Sequence, residues 1–95
     1  MEGTPDVPKK FELGQNYPNP FNPMTMIQYS LPKDVRVSLE IYNILGQKIA
    51  ILVDVLETAG YKTVSFDASR FPSGIYFYRL QAGTFSEVKK MVLVR

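Results

Sequence analysis

From Val35 to Tyr42 apolar and polar residues alternate without a break: Val35, Val37, Leu39 and Ile41 fall on one side, Arg36, Ser38 and Glu40 on the other. A helical stripe through positions 35, 38, 39 and 42 takes in Ser38 and leaves Val37 and Ile41 outside, so the period is two and the segment reads as a half-buried strand. Weaker versions of the pattern recur on both sides. Thr25–Leu31 sets Ile27, Tyr29 and Leu31 on one face, with Thr25, Met26, Gln28 and Ser30 less regularly opposed. Gln47–Val53 returns after Asn43-Ile44-Leu45-Gly46, where Gly46 suits the left-handed position of a short hairpin loop. Tyr61–Phe66 directs Val64 and Phe66 inward and Lys62 outward. Ile75–Gln81 carries Tyr76, Phe77 and Tyr78, and an Ala82-Gly83 turn leads to a last strand at Thr84–Val94.

Between these runs lie turn residues: Pro32-Lys33-Asp34, a connection over 54–60, and a loop from Asp67 to Gly74 with Pro72 at the second position of a turn. Short strands punctuated at this spacing, with no helix required, predict an all-β antiparallel sandwich or barrel of about six to seven strands.

The segment ahead of the first strand is of another kind. Asn16, Tyr17, Pro18, Asn19, Pro20, Phe21, Asn22 and Pro23 place three prolines and three asparagines around two aromatic rings. Each proline fixes its own φ and removes a donor, and each turns the preceding residue away from the helical region. The stretch is therefore a stiff, extended, turn-punctuated arm and not a central strand. The arm is also a candidate for the seventh edge. Ahead of it, 1–10 is polar with two prolines and reads as a linker, so that 11–95 is the domain and the chain a piece of a longer protein.

Composition narrows the function more than the fold. At 95 residues there is room for one domain. The net charge of +2 gives no reason to expect nucleic acid, although the first 47 residues hold four basic and five acidic side chains and the remainder seven and four. No apolar run reaches the about 18 residues of a membrane span. Cysteine and histidine are absent, which removes thiolate nucleophiles, disulfides, imidazole bases and zinc–thiolate sites together. The nine acidic residues are scattered through turns and outward strand positions. A loop cation at Asp54 and Glu57, or at Asp67, is the most they offer, and a calcium loop needs a closer cluster of oxygen ligands. No catalytic residue, cofactor site or metal site is expected.

Two features carry a binding reading beside a structural one. The six tyrosines, Tyr17, Tyr29, Tyr42, Tyr61, Tyr76 and Tyr78, are the material of a sugar-stacking platform, but aromatics favour sheet faces in any case, and packing is the better account. The strand Val88–Arg95 ends the sequence with Lys89, Lys90 and Arg95. These cations either guard a sheet edge or belong to an exposed signal gripped by strand addition, and the residues support both equally.

Taken in order, a series of short matches identifies a resemblance. Gln15–Pro23 (QNYPNPFNP), Thr25 and Ile27–Pro32 (IQYSLP) resemble the opening of the type IX secretion system C-terminal sorting domains, type A. The likeness continues through Val37–Gln47 (VSLEIYNILGQ), Leu52-Val53, Ala59-Gly60-Tyr61 and Phe66–Ala68 (FDA). It closes with Ser73–Leu80 (SGIYFYRL) and Lys90–Leu93 (KMVL), covering about residues 11–95.

The resemblance implies an immunoglobulin-like sandwich, related to the β-domain of flagellar hook-capping proteins, with no chemistry of its own. Such a domain ends a larger secreted bacterial protein that crosses the inner membrane by its own signal peptide and folds in the periplasm. A type IX translocon then carries it over the outer membrane, and a sortase-like signal peptidase commonly removes the domain. The cargo is released or held at the cell surface. Position by position, the family's signal falls on Gly74 and Tyr76 and on Lys89, Lys90, Met91, Val92, Leu93, Val94 and Arg95. Gly74 would permit a sharp turn into its strand and Tyr76 would fix the strand's register. The resemblance also makes the proline arm the domain's entry, with Tyr17 and Phe21 docking on the sandwich and Asn19 and Asn22 closing turns. The competing readings are an immunoglobulin-like carbohydrate-binding or adhesion module attached to a secreted enzyme and, behind it, a subunit that polymerises by strand exchange.

Overall fold

The computed structural model describes residues 7–95, so the greater part of the expected linker, Met1–Asp6, lies outside the described residues. Seven strands follow one another: β1 (Glu12–Leu13), β2 (Met24–Leu31), β3 (Val35–Tyr42), β4 (Lys48–Glu57), β5 (Gly60–Asp67), β6 (Gly74–Ala82) and β7 (Phe85–Leu93). They form two sheets in the orders β1-β2-β5 and β4-β3-β6-β7, with every strand pair antiparallel. The expected all-β sandwich is the observed fold.

The core is the sum of the inward rows. Ile27, Tyr29 and Leu31 of β2 and Phe66 of β5 face Val37, Leu39 and Ile41 of β3, Tyr76, Tyr78 and Leu80 of β6, and Met91 and Leu93 of β7. All are at most 5% exposed. Period two puts the row on one side of each strand, and burial of that row fixes the register, because a one-residue slip would turn it to solvent. The β3–β4 loop is built as its residues suggest: Gly46 has φ +82°, its amide donates to Asn43 O, and Asn43 Oδ1 accepts from the amides of Leu45 and Gln47.

Several local expectations are corrected. β4 does not stop at Val53 but runs to Glu57, since Asp54, Val55, Leu56 and Glu57 stay in register with Ser38, Val37, Arg36 and Val35. The connection is thereby reduced to Thr58 and Ala59. Lys62 is not outward: it shares the parity of Val64 and Phe66, is partly buried, and its ammonium reaches Thr58 Oγ1. Thr25 belongs to the buried row of β2, at 1% exposure. The hydrogen-bonded turn of the β5–β6 loop is Ala68–Phe71 rather than one built on Pro72. The seventh strand is Glu12–Leu13, ahead of the arm, while the arm itself contributes two isolated bridges, Tyr17 to Met26 and Phe21 to Leu93. Of the linker's described end, Pro8 is buried and the Lys10 carbonyl accepts from Ser30 Oγ.

Candidate functional site

The proline arm folds back across the sandwich. The peptide bonds before Pro18, Pro20 and Pro23 are cis. Its first anchor is Asn16, 2% exposed, whose amide N–H donates to the Tyr78 hydroxyl at 2.8 Å. Asn16 Nδ2 donates to Thr25 Oγ1 and to the Pro18 carbonyl, and the Thr25 hydroxyl donates to the same carbonyl. These contacts hold the arm in shape where proline has removed backbone donors. Phe21 is the second anchor, 2% exposed with its ring tilted against Phe66. Tyr17, expected to dock, is instead 79% exposed, joined to β2 by backbone bonds to Met26 alone. Asn19 closes no turn either: its Oδ1 accepts from the Val92 amide.

The arm thereby lies along the free edge of β7. Phe21 N donates to Val92 O, Val94 N donates to Phe21 O, and Gln15 Nε2 donates to Lys90 O. Outward-facing groups of Lys90, Val92 and Val94 that a receptor strand would need are already bonded within the chain. Further back, Glu87 and Lys89 point to the inward side of β7 and pair at 3.4 Å. Inward charge on an edge strand opposes the docking of another strand. The other edges are managed by the same rules, β4 by two register irregularities and β5 by inward Lys62.

The candidate signal residues separate by the side they face. Met91 and Leu93 are core, at 0% and 1% exposure, and Tyr76 is buried with its hydroxyl donating to the Pro72 carbonyl at 2.6 Å. Gly74 has φ +153°, a conformation side chains rarely adopt, and a Cβ there would meet nothing within 4 Å. It serves the backbone, not a close contact. Lys89 is engaged with Glu87. Lys90 and Val94 are exposed and Val92 half-buried. Arg95 spans the end of the sandwich: its guanidinium donates to the carbonyls of Ala68, Ser69 and Phe71 in the β5–β6 loop. Sequence reasoning treated Arg95 as charge, whereas its donors are used as a clamp on three carbonyls.

On the four-stranded sheet, Glu40 of β3 is tied to three neighbouring side chains. Its carboxylate accepts from the Tyr42 hydroxyl, pairs with Lys48 at 3.0 Å and lies 3.7 Å from Arg79. The Tyr42 hydrogen bond, together with Lys48, holds its carboxyl below the usual range, and the same bond raises Tyr42. The Arg79 guanidinium sits 6.0 Å from the Tyr42 ring centroid, and its Nε is buried without a partner.

Other candidate ligands are already engaged. Asp54 pairs with Arg36 at 2.8 Å, Glu57 accepts from the Tyr29 hydroxyl, and Asp67 accepts from the Ser69 amide. Tyr29, Tyr76 and Tyr78 are core and Tyr42 is half-buried, which leaves Tyr17 and Tyr61 as the exposed rings. Tyr61 borders a shallow groove of about 670 Å³ that it shares with Glu12, Gln28 and Thr63. The six tyrosines do not form one exposed row.

With this geometry in hand, comparison with known families is specific. A family model described as a secretion system C-terminal sorting domain matches residues 15–94, which takes in the arm and all but the first of the seven strands. No curated protein matches the chain.

Proposed function

The chain belongs to the family of type IX secretion system C-terminal sorting domains, and from that premise we propose that its address is read from a folded surface at the β6–β7 end rather than from a linear tail. Domains of this family mark their protein for the cell surface or the medium by way of the outer membrane, and that is the function of this chain. The observation that supports the proposal is the division of β7. Met91 and Leu93 are in the core, while Lys90 and Val94 face solvent. A receptor that bound the strand as an extended peptide would have to unfold the domain to reach half of it.

In this reading the work of the domain is non-catalytic. Gly74, Tyr76, Met91 and Leu93 shape the surface, and Lys89 steadies Glu87 beside it. Lys90, Val92, Val94 and the loop clamped by Arg95 present it. Residues 1–10 serve as the tether to an upstream cargo domain, and a sortase-like signal peptidase cuts there. The partners are accordingly the translocon, the peptidase and the cargo.

The test is a passenger with a Sec signal peptide, fused ahead of this chain in a cell that has a type IX system. The passenger should reach the surface or medium, freed of the domain, and a passenger without the domain should stay in the periplasm. Retention of the fused passenger in the periplasm, with the domain folded, would refute the assignment. Deleting Val88–Arg95 is a poor probe, because it removes Met91 and Leu93 from the core.

A further inference from the structure

The outer face of the four-stranded sheet is divided into two unlike halves. Its cross-strand rows follow from the register. Lys48, Tyr42, Phe77 and Lys90 form one row, and Ile51, Glu40, Arg79 and Val88 the next. Ile75 and Val92 extend the patch toward the arm. Beyond Glu40 the next row is polar, with Asp54, Ser38, Gln81 and Ser86 opposite one another, and the last pair sets Arg36 against an exposed Leu56. The same sheet thus supplies its own comparison.

In the first half, two half-buried aromatic rings lie at the centre. Ile51, Val88 and Ile75 are exposed at the rim, at 56%, 54% and 37%. Three cations, Lys48, Arg79 and Lys90, face one carboxylate, and Glu40 is spent on Lys48 and Arg79. Lys90 has no acidic neighbour within ion-pair distance among the described residues. Aromatic rings and arginine inside an apolar border, with an excess of charge of one sign, are the composition of a protein-binding patch. A solvated sheet face would show the mixed polar character of the second half.

We propose that this half-face, centred on Tyr42 and Phe77 and bordered by Lys90, Arg79 and Val88, is the docking surface for an acidic protein surface of the export machinery. The inference rests on the sorting function above and deepens it by naming where the partner sits and what it is made of. Charge decides the partner's sign: the patch carries a net excess of two positive charges, since one carboxylate meets three cations. The apolar rim decides its class. Ile51, Ile75 and Val88 offer nothing to the hydroxyls of an anionic glycan, whereas an apolar protein surface desolvates against them. Strand addition at β7 is not the mode, because the arm fills that edge from Lys90 to Val94 and the inward charges of Glu87 and Lys89 oppose it further back.

The experiment uses the Sec-signal passenger fused to the full chain. Lys90→Glu and Val88→Asp should each cut the exported fraction by about tenfold while the purified domain melts at the parental temperature. Ser86→Glu in the polar half and Thr63→Glu on the other sheet should export as the parent does. Normal export of both patch variants overturns the inference and leaves the sorting function standing. Failure of the unmodified domain to export overturns the sorting function itself. A photo-crosslinking residue at Val88 identifies the class of partner. The expected product is an adduct with an outer-membrane protein whose crosslinked region is acidic, and a carboxylate-to-lysine change there should rescue Lys90→Glu. A periodate-sensitive glycan ladder, or an adduct without charge-swap rescue, overturns the proposal.

Discussion

Phe21 lies in parallel register with Leu93, its amide donating to the Val92 carbonyl and its carbonyl accepting from the Val94 amide, both at 2.9 Å. The proline arm and the last strand are therefore one structural unit. A substitution in the arm acts on the edge of β7, and a substitution in β7 acts on the seat of the arm. Export phenotypes at either end acquire meaning only beside a stability measurement.

The Phe21 ring is 2% exposed and packs on Phe66. Replacing it with alanine should cost about 3–5 kcal/mol, from lost burial and the cavity left behind. That is a large part of the about 5–15 kcal/mol available to an ordinary domain. Denaturant titration should show a clearly lower midpoint. If Phe21→Ala melts like the parent and yet fails to be exported, the arm is itself read by the receptor.

Tyr78 ties the centre of the four-stranded sheet to the start of the arm. Its hydroxyl donates to Gly14 O at 2.7 Å and accepts from Asn16 N–H at 2.8 Å. Tyr78→Phe leaves that amide buried without a partner, at a cost of about 1–3 kcal/mol. Burial pushes the Tyr78 hydroxyl up to about 12, although the Asn16 amide pulls the other way. The folded state thus holds the proton more tightly than the unfolded chain. Its contribution is complete below the ordinary tyrosine value near 10 and is lost as pH rises toward the folded value. Wild-type melting temperature should fall across that window, and Tyr78→Phe should fall less steeply. Tyr29, raised by burial and by Glu57, adds a loss of the same sign, so some slope should remain.

How far the residues foretold this arrangement depends on whether a local rule governs them. Val35–Tyr42 has the same bounds in sequence and structure because alternation and burial agree there. Gly46 follows from turn chemistry alone. The end of β4 is different. Asp54 interrupts the apolar run, yet the strand continues because Ser38 and Arg36 across the sheet accept it as a partner, which is a non-local fact. In the arm, ring size suggested that Tyr17 and Phe21 dock alike, but only Phe21 faces the seam at Phe66 and Leu93. Asn16 and Thr25 look like ordinary polar positions in sequence, and only the fold-back puts them together. The candidate signal was legible as a stretch and not as a surface. Period two already separated Met91 and Leu93 from Lys90, Val92 and Val94, but the sequence did not say which parity was buried. The Arg95 clamp depends on a loop 24 to 27 residues away and leaves no local trace.

Arg95 should behave as a clamp rather than as a charge. Its guanidinium serves three carbonyls, a fork that the compact lysine ammonium does not reproduce. Arg95→Lys should therefore lose most of what Arg95→Ala loses, about 1 kcal/mol for exposed bonds of this kind. Hydrogen exchange should locate the loss, with faster exchange at the Phe71 amide, which donates to Ala68 O, and little change at Leu39 or Leu80. Full rescue by lysine would show that charge alone matters there.

Acid should weaken the domain in part through Glu40. Its carboxyl is held below the usual range chiefly by the Tyr42 hydroxyl and Lys48. A depressed folded value means that the carboxylate contributes fully above the unfolded value near 4.3 and that the contribution disappears as pH falls through the folded value. Glu40→Gln keeps the size of the side chain and removes the charge. At pH 7 it should be less stable than the parent by about 0.5–1 kcal/mol, the range for a partly solvated ion pair. The gap should close as pH falls below about 4, where the parental carboxylate takes up its proton. High salt at pH 7 should narrow it as well, since the pair with Lys48 is near the surface. A gap that persists unchanged to pH 2 would mean that Glu40 acts through packing and not through its charge.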